Sequence, residues 1–570
     1  MPRPDTGVEA VQLHGRSTSM GLCKSTTITC GTCRFHAAEA FVSGEHTVEH
    51  TVMELFQQQA ARWPDRPALV GDGGRLTYAE LDRATAGVAH ALVAQGATTD
   101  EPVAVLAVRG TEQLVALLGV LRSGAPYVCL DVEQPQSRMT AQLSDSRARI
   151  LLTDRPQPGF TGTALRLGNL PQAPAVRPQP PAPVDLACVV YTSGSTGAPK
   201  GVAVTHGGLA NYSRHVVSLL GCADEPRSFA SVTSLATDLG NTAVFPALLS
   251  GGCVHLVPPE VVLDPVRFAD YARTQAIDYL KITPSHLAAL LSFTDTDVLP
   301  HEALLLGGEA LSWDLVDKVR ARTRTRGRCR IINHYGPTET TIGSLTYEVG
   351  PAEAARRPGA TVPIGRPIAA TEIRVVDARL ERVPDGTTGE LLISGAGLAR
   401  GYWGSPEQTK DRFISLDDGT RAYRTGDRVR CLDDGSVEFL GRLDQQLKIR
   451  GHRVEPAEIE AALCLHPAVA RAAVTPVRDG VGQQILAAFV VPATAAAPSV
   501  RDLRVHLSGL LPPHMVPSSA EIVPALPFTL SGKLDRHATV PLPSTIQPQA
   551  AGTARLTTPG PPHRQGPAPG

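Results

Sequence analysis

At 570 residues the chain is too long for one ordinary hydrophobic core, so two or more domains are expected. Its 54 Lys and Arg stand against 55 Asp and Glu, a formal net charge of -1 that offers no pull toward nucleic acid or an anionic membrane. Ten cysteines, several inside apolar runs (Cys129, Cys188, Cys253), read as small buried hydrophobes, and nothing approaches the roughly 20 apolar residues of a membrane span, so a cytoplasmic protein is expected.

Residues 1–46 lack periodicity and read as a disordered leader. Cys23, Cys30, Cys33 and His36 fall at a spacing that matches no strong zinc pattern. From His50, residues Val52, Leu55, Phe56 and Ala60 recur at helical spacing, and Thr77 with Glu80 forms a capping signature for a second helix. Residues 103–108 form an apolar strand run, 111–122 a helix, and 124–128 the start of another strand. That order argues a parallel sheet with helices on its faces. Residues 155–183 are proline-rich and suit an exposed connector.

The apolar run 186–190 then delivers the chain into Tyr191-Thr192-Ser193-Gly194-Ser195-Thr196-Gly197-Ala198-Pro199-Lys200-Gly201. Glycines let the backbone turn sharply so that N–H groups converge on an anion, while hydroxyls add donors and a lysine adds charge. The spacing is not that of a Walker loop, because the hydroxyls precede the lysine. Residues 360–440 change to short strands between Gly/Asp turns, and about 95 residues of mixed α and β follow Asp444, with a helix at 456–465 and a strand at 485–491. Residues 541–570 are rich in Pro, Gly, Gln and Thr and are expected to be disordered.

Further motifs stand in order after the loop. They are Asn333-His334-Tyr335-Gly336-Pro337-Thr338-Glu339, Gly389-Glu390-Leu391, Tyr423-Arg424-Thr425-Gly426-Asp427, Gly441-Arg442-Leu443-Asp444 running to Lys448-Ile449-Arg450-Gly451, and Ser531-Gly532-Lys533-Leu534-Asp535. Together with residues 192–201 they closely resemble the core motifs of nonribosomal peptide synthetase adenylation domains, members of the adenylate-forming superfamily that also holds acyl-CoA synthetases and luciferase. His514 stands where that family usually has tyrosine, and Ser531 where asparagine is common.

The resemblance implies an α/β fold: a large N-terminal domain of packed parallel and mixed sheets with helices and a β-rich subdomain (47–443), then a small mobile α+β domain (444–540) after a hinge at Asp444. The implied reaction is attack of a carboxylate on the α-phosphorus of ATP, giving an acyl-adenylate and pyrophosphate. Positioning and charge stabilisation should dominate such a displacement. Thr192, Ser193, Gly194, Ser195, Thr196, Gly197 and Lys200 are then expected to hold phosphates, and Glu339 to ligate Mg²⁺. Tyr335 would face adenine with Asn333 at its edge, beside Gly336 and Thr338. Asp427 and Arg442 would take the ribose, and Lys533 would bridge the carboxylate and the α-phosphate.

By the same resemblance, a thiol is expected to receive the acyl group after the small domain swings about Asp444, exchanging Lys533 for the Gly451 loop. No carrier domain is evident downstream, so phosphopantetheine on a separate carrier protein is expected, with a small helper protein of the MbtH-like type as a further candidate partner. Following the family's pocket positions gives Asp238, Leu239, Thr242, Lys281, Leu305, Gly307, His334, Ile342, Gly343 and Lys533. Asp238 would pair with a substrate α-ammonium. A buried lysine at 281 calls for an anion from the ligand, which favours aspartate, with asparagine and β-substituted aspartates as alternatives. The rival readings are a carboxylate–CoA ligase of the same superfamily and a nucleotide-binding scaffold without turnover.

Overall fold

The computed structural model describes residues 50–157, 159–170, 180–194, 198–292, 297–323, 329–357, 359–479, 484–494 and 497–527. The expected leader with its cysteines, the tail, Lys533, Ser531, and Ser195, Thr196 and Gly197 of the loop lie outside the described residues.

Local chemistry sets the first helices. Thr51 and Thr77 each accept from the N–H three residues on, while Glu54 and Glu80 reach back to the cap, closing capping boxes at the starts of Val52–Arg62 and Tyr78–Ala94. The helices Thr111–Ser123, His206–Leu220 and Asn241–Ser250 join them in one apolar core with residues from two sheets. These five helices, packed against the two sheets, bury apolar faces of both.

In the seven-stranded sheet, Val103–Leu106, Tyr127–Leu130 and Ile150–Thr153 run parallel. Leu186–Thr192 pairs antiparallel with Lys200–Thr205, which sets Thr192 opposite Lys200. The nine-stranded sheet sets Ser228–Ser231, Tyr279–Ile282, Ala303–Gly307 and Arg330–Tyr335 side by side and parallel. Ligands of such sheets bind beyond the carboxyl ends of the strands. A five-stranded antiparallel sheet follows, built around Thr388–Gly395 and Arg421–Cys431.

After Asp444 the chain forms the hairpin Leu447–Ile449/His452–Val454, the helix Pro456–Cys464, and a three-stranded sheet with the helix Val500–Ser508, around a core of its own that includes Ile459, Leu463, Val490 and Met515. The proline-rich stretch is more than a connector. It contains the strand Thr163–Arg166, paired in parallel with Ile150–Thr153 at the sheet edge. An edge strand that buries neither face leaves no alternation to read. Among the described residues, no helix is long and apolar enough to cross a membrane.

Candidate active site

A cavity of about 810 Å³ opens beyond the carboxyl ends of the parallel strands, roofed by the Gly451 hairpin. One wall comes from the strand Leu186–Thr192 and the start of the glycine-rich loop. A Cβ at Gly194 would fall 1.8 Å from the Ala198 carbonyl oxygen, so only glycine allows the chain to fold back here. Thr192 Oγ1 is buried without a partner. Ser193 donates to the Arg453 carbonyl at 2.7 Å, and the Gly194 N–H donates to Glu458 Oε2 at 3.3 Å. The Lys200 ammonium lies 5.0 Å from the Tyr402 ring centroid, and burial, with Arg453 beside it, pushes it down to about 8.

Glu339 is fully buried. Its Oε1 accepts from Tyr402 Oη at 2.6 Å and Arg453 Nη1 at 2.7 Å, whereas Oε2 has no partner. Burial alone would raise this carboxyl, but Arg453 and the Tyr402 hydroxyl hold it down at about 2. An ionised carboxylate with one unpartnered oxygen, next in sequence to the cavity-lining Thr338, fits a hydrated Mg²⁺ shared with ligand phosphates. Among the described residues there is no cluster of three or more His, Cys, Asp or Glu that could hold a metal without such help.

Across the cavity, the Tyr335 hydroxyl donates to Asp427 Oδ2 and Arg442 Nη1 donates to Asp427 Oδ1 at 2.6 Å. Asp427 lies inside the strand Arg421–Cys431, so its carboxylate is aimed by the ladder rather than by a turn. Gly336 packs so closely on Gly343 that a Cβ would meet its Cα at 2.5 Å. Asn333 is placed differently from the sequence expectation: its amide nitrogen donates to the carbonyls of Val362 and Pro363, inside the fold. Asp444 lies in the short linker after Val437–Arg442, where its carboxylate accepts from Arg442 at 2.6 and 2.9 Å and from the Gln446 N–H at 3.1 Å.

Of the expected substrate residues, Asp238, Leu239, His334 and Ile342 line the cavity. Thr242, Lys281, Leu305, Gly307 and Gly343 form a layer around His334. Lys281 Nζ lies 2.8 Å from His334 Nδ1, Leu305 pairs with Lys281 in register, and Thr242 shares a 2.8 Å hydrogen bond with Tyr212, whose ring packs on His334. A Cβ at Gly307 would meet Lys281 Nζ at 2.5 Å, and one at Gly343 would meet His334 Nε2 at 1.8 Å, so both glycines make room for the pair. The buried lysine thus has a partner within the protein, where the sequence reading left that role to the ligand alone. Burial pushes Lys281 down to about 7 and lifts Asp238 to about 6, with Thr338 and Lys281 opposing the lift. Burial and the adjacent Lys281 keep His334 neutral, and its Nε2 is buried with no partner.

The hairpin and the helix Pro456–Cys464 supply residues to which motif reading gave no role. Lys448 Nζ lies 5.6 Å from the Tyr335 ring centroid, Arg453 meets Glu339, and Glu458 pairs with Arg138. Gly451 sits against Thr283 at φ 79°, where a Cβ would be 2.4 Å from Thr283 Cγ2.

Fold and cavity together put the chain among α/β enzymes that bind ligands at the carboxyl ends of parallel strands. Residues 56–403 match the family described as AMP-binding enzyme, and residues 458–533 match the AMP-binding enzyme C-terminal domain; the chain belongs to this adenylate-forming family. It is 37% identical over 515 residues to surfactin synthase subunit 2 of Bacillus subtilis, covering 88% of this chain and 14% of that one. It is 35% identical over 514 residues to tyrocidine synthase 1 of Brevibacillus parabrevis, covering 88% and 45%. The chain therefore spans less than half the length of either relative. An artificially fused adenylation–PCP di-domain nonribosomal peptide synthetase from Klebsiella oxytoca superposes with TM-score 0.74 at 27% identity, over 83% of this chain and 94% of that one.

Proposed function

We propose that this chain activates L-aspartate as aspartyl-adenylate, releasing pyrophosphate, and passes the acyl group to the phosphopantetheine thiol of a carrier protein. The observation that carries the substrate is the grouping of Asp238 with the Lys281–His334 pair around one end of the cavity. Asp238 provides the anion for an α-ammonium. Lys281 donates to His334 Nδ1, which leaves the proton on Nε2, and that N–H is without an acceptor. A β-carboxylate would accept from Nε2–H while its charge offsets that of Lys281. The amide of asparagine could accept the hydrogen bond but not offset the charge.

The remaining residues follow from their places. Tyr335 offers its ring to adenine, and Asp427, held by Tyr335 and Arg442, keeps lone pairs for ribose hydroxyls. Thr192, Ser193, the Gly194 N–H and Lys200, together with Ser195, Thr196 and Gly197, hold the phosphates. Glu339 Oε2 would hold Mg²⁺, which supplies charge neutralisation at the phosphate oxygens when bound. Lys533 completes the set as the bridge between carboxylate and α-phosphate in the first half-reaction. The fused Klebsiella oxytoca di-domain supports a PCP as the thiol donor, and a small MbtH-like helper remains part of the proposal.

The test is ATP–pyrophosphate exchange over Asp, Asn, Glu, β-methyl-Asp, β-alanine and plain organic acids. Aspartate should dominate, and Lys281→Ala should lower its exchange relative to asparagine by about a hundredfold, the equivalent of about 3 kcal/mol for a buried charge pair broken on one side. Unchanged selectivity in Lys281→Ala would remove the pocket assignment. Exchange with plain organic acids alone would favour a CoA ligase.

A further inference from the structure

Asp238 opens a short 3-10 helix, Asp238–Gly240, that has no side-chain cap, and the segment before it, residues 232–237, belongs to no strand or helix. Its backbone polar groups therefore need partners from elsewhere. Two residues from the seven-stranded sheet supply them. Arg109 follows the strand Val103–Leu106 and Asp131 follows its neighbour Tyr127–Leu130, so both stand at the carboxyl ends of adjacent parallel strands. Arg109 Nε donates to the Thr233 carbonyl at 3.1 Å, Nη2 to the Ser231 carbonyl, and Nη1 to the Val257 carbonyl. Ser234 Oγ donates to Asp131 Oδ2 at 2.8 Å.

One turn carries this grip on to Asp238. Ser234 Oγ accepts from the Ala236 N–H at 3.3 Å, and the Ser234 carbonyl accepts from the Thr237 hydroxyl at 3.0 Å and the Thr237 N–H at 3.4 Å, which folds residue 237 back onto 234. A Cβ at Gly240 would lie 3.0 Å from the Ser234 carbonyl oxygen and 3.2 Å from Thr233 Oγ1, so the helix that bears Asp238 rests on the same two residues. Burial pushes the Arg109 guanidinium down to about 10, against weaker upward pulls from Tyr271 and Asp131. A cation desolvated against three carbonyls is a costly way to fill space, but its planar fork fixes the spacing of the groups that it binds. Thr233, Ser234, Thr237 and Asp238 line the cavity and Arg109 does not, so Arg109 acts on a ligand only through them.

We infer that Arg109 and Asp131 are positioning residues for Asp238: together they grip residues 231–234 and so set where the carboxylate that meets the substrate α-ammonium stands, a role that rests on the reading of Asp238 given above. Recognition of an ammonium by one carboxylate depends on where that carboxylate is held, and a misplacement of about 1 Å can cost about a hundredfold in rate. Loosening the grip therefore falls on the ammonium of the substrate, while the ATP groups, carried by other strands and loops, keep their places.

The test is ATP–pyrophosphate exchange by the full chain with L-aspartate, together with inhibition of that exchange by succinate, which keeps both carboxylates and lacks the ammonium. Arg109→Lys retains the charge but cannot reach three separate carbonyls. KM for aspartate should rise about tenfold, while kcat, KM for ATP and the inhibition constant of succinate stay within about twofold. Ser234→Ala removes the hydroxyl that joins Asp131 to the Ala236 N–H and should shift the aspartate-to-succinate preference in the same direction. Asp238→Asn should abolish that preference by itself, and adding Arg109→Lys to it should change the preference no further, because the two residues act through one group. A merely structural loss would instead add to that of Asp238→Asn and raise KM for ATP as well. A preference unchanged in either folded variant, losses that add in the double variant, or equal rises in KM for ATP and for aspartate overturn the grip. A preference that survives Asp238→Asn overturns the reading of Asp238 itself, and the grip with it.

Discussion

Asp238 and Lys281 bring opposite charges toward one end of the cavity, and burial moves both toward neutrality: the carboxyl rises to about 6 and the ammonium falls to about 7. Each is useful to an aspartate ligand only when charged. Below about pH 6 Asp238 takes up a proton and loses its hold on the α-ammonium, and above about pH 7 Lys281 loses its proton and its attraction for the β-carboxylate. The value of kcat/KM for aspartate, which reports the free enzyme, should therefore be bell-shaped with a narrow optimum between those limits. With asparagine the upper limb should vanish, because an amide does not need the ammonium. A pH–rate profile on both substrates checks this, and identical upper limbs would remove Lys281 from substrate recognition.

The hairpin Leu447–Ile449/His452–Val454 brings small-domain groups to the cavity, and its turn depends on Gly451. At φ 79°, a side chain there costs about 1–2 kcal/mol in backbone strain alone, and the added Cβ would also overlap Thr283. Gly451→Ala should slow single-turnover transfer to a carrier thiol about tenfold or more while sparing ATP–pyrophosphate exchange, the half-reaction that the proposed function assigns to Lys533. Equal losses in both assays would mean that the hairpin acts in both steps or that the fold is damaged. The same element marks how far the sequence could be read. Thr192, Ser193, Tyr335 and Asp427, which line the cavity, could be singled out from the sequence because each lies in a short motif whose strand or turn aims it, and such aiming is local. Arg453, Glu458 and Arg138 were not, because their roles arise from docking between surfaces, with Arg138 and Glu458 320 positions apart. Lys281 was expected in the pocket; it lies behind His334 rather than on the cavity wall, and that partnership depends on the register of separate strands and on the space left by Gly307 and Gly343. Thr163–Arg166 was missed for the opposite reason: an exposed edge strand carries no periodic signal.

Across the whole molecule, histidines buried without charge should set the acid limit of stability. His206 is fully buried with neither ring nitrogen partnered, and His255 is 4% exposed; burial pushes both down to about 4 from an ordinary 6.5, against weaker upward pulls from Asp185 and Glu54 on the first and Asp278 on the second. In both cases the folded value lies below the unfolded one. Between about pH 6.5 and 4 the unfolded chain therefore binds more protons, and stability falls as pH drops through that window, with no further loss from these two groups below it. A shift of this size corresponds to about 3 kcal/mol per histidine, and two of them rival the net stability of about 5–15 kcal/mol typical of a folded domain. Asp238, raised to about 6, works in the opposite direction over part of the window, because its protonation favours the folded state, and it offsets some of the loss. Urea denaturation at pH 7.5, 6, 5 and 4.5 should show a midpoint that falls steadily with pH. His206→Phe, an apolar ring for an apolar site, should flatten the slope by up to one proton, about 1.4 kcal/mol per pH unit. A midpoint independent of pH down to 4.5, or a slope unaltered in His206→Phe, would show that these rings are not held neutral in the folded chain.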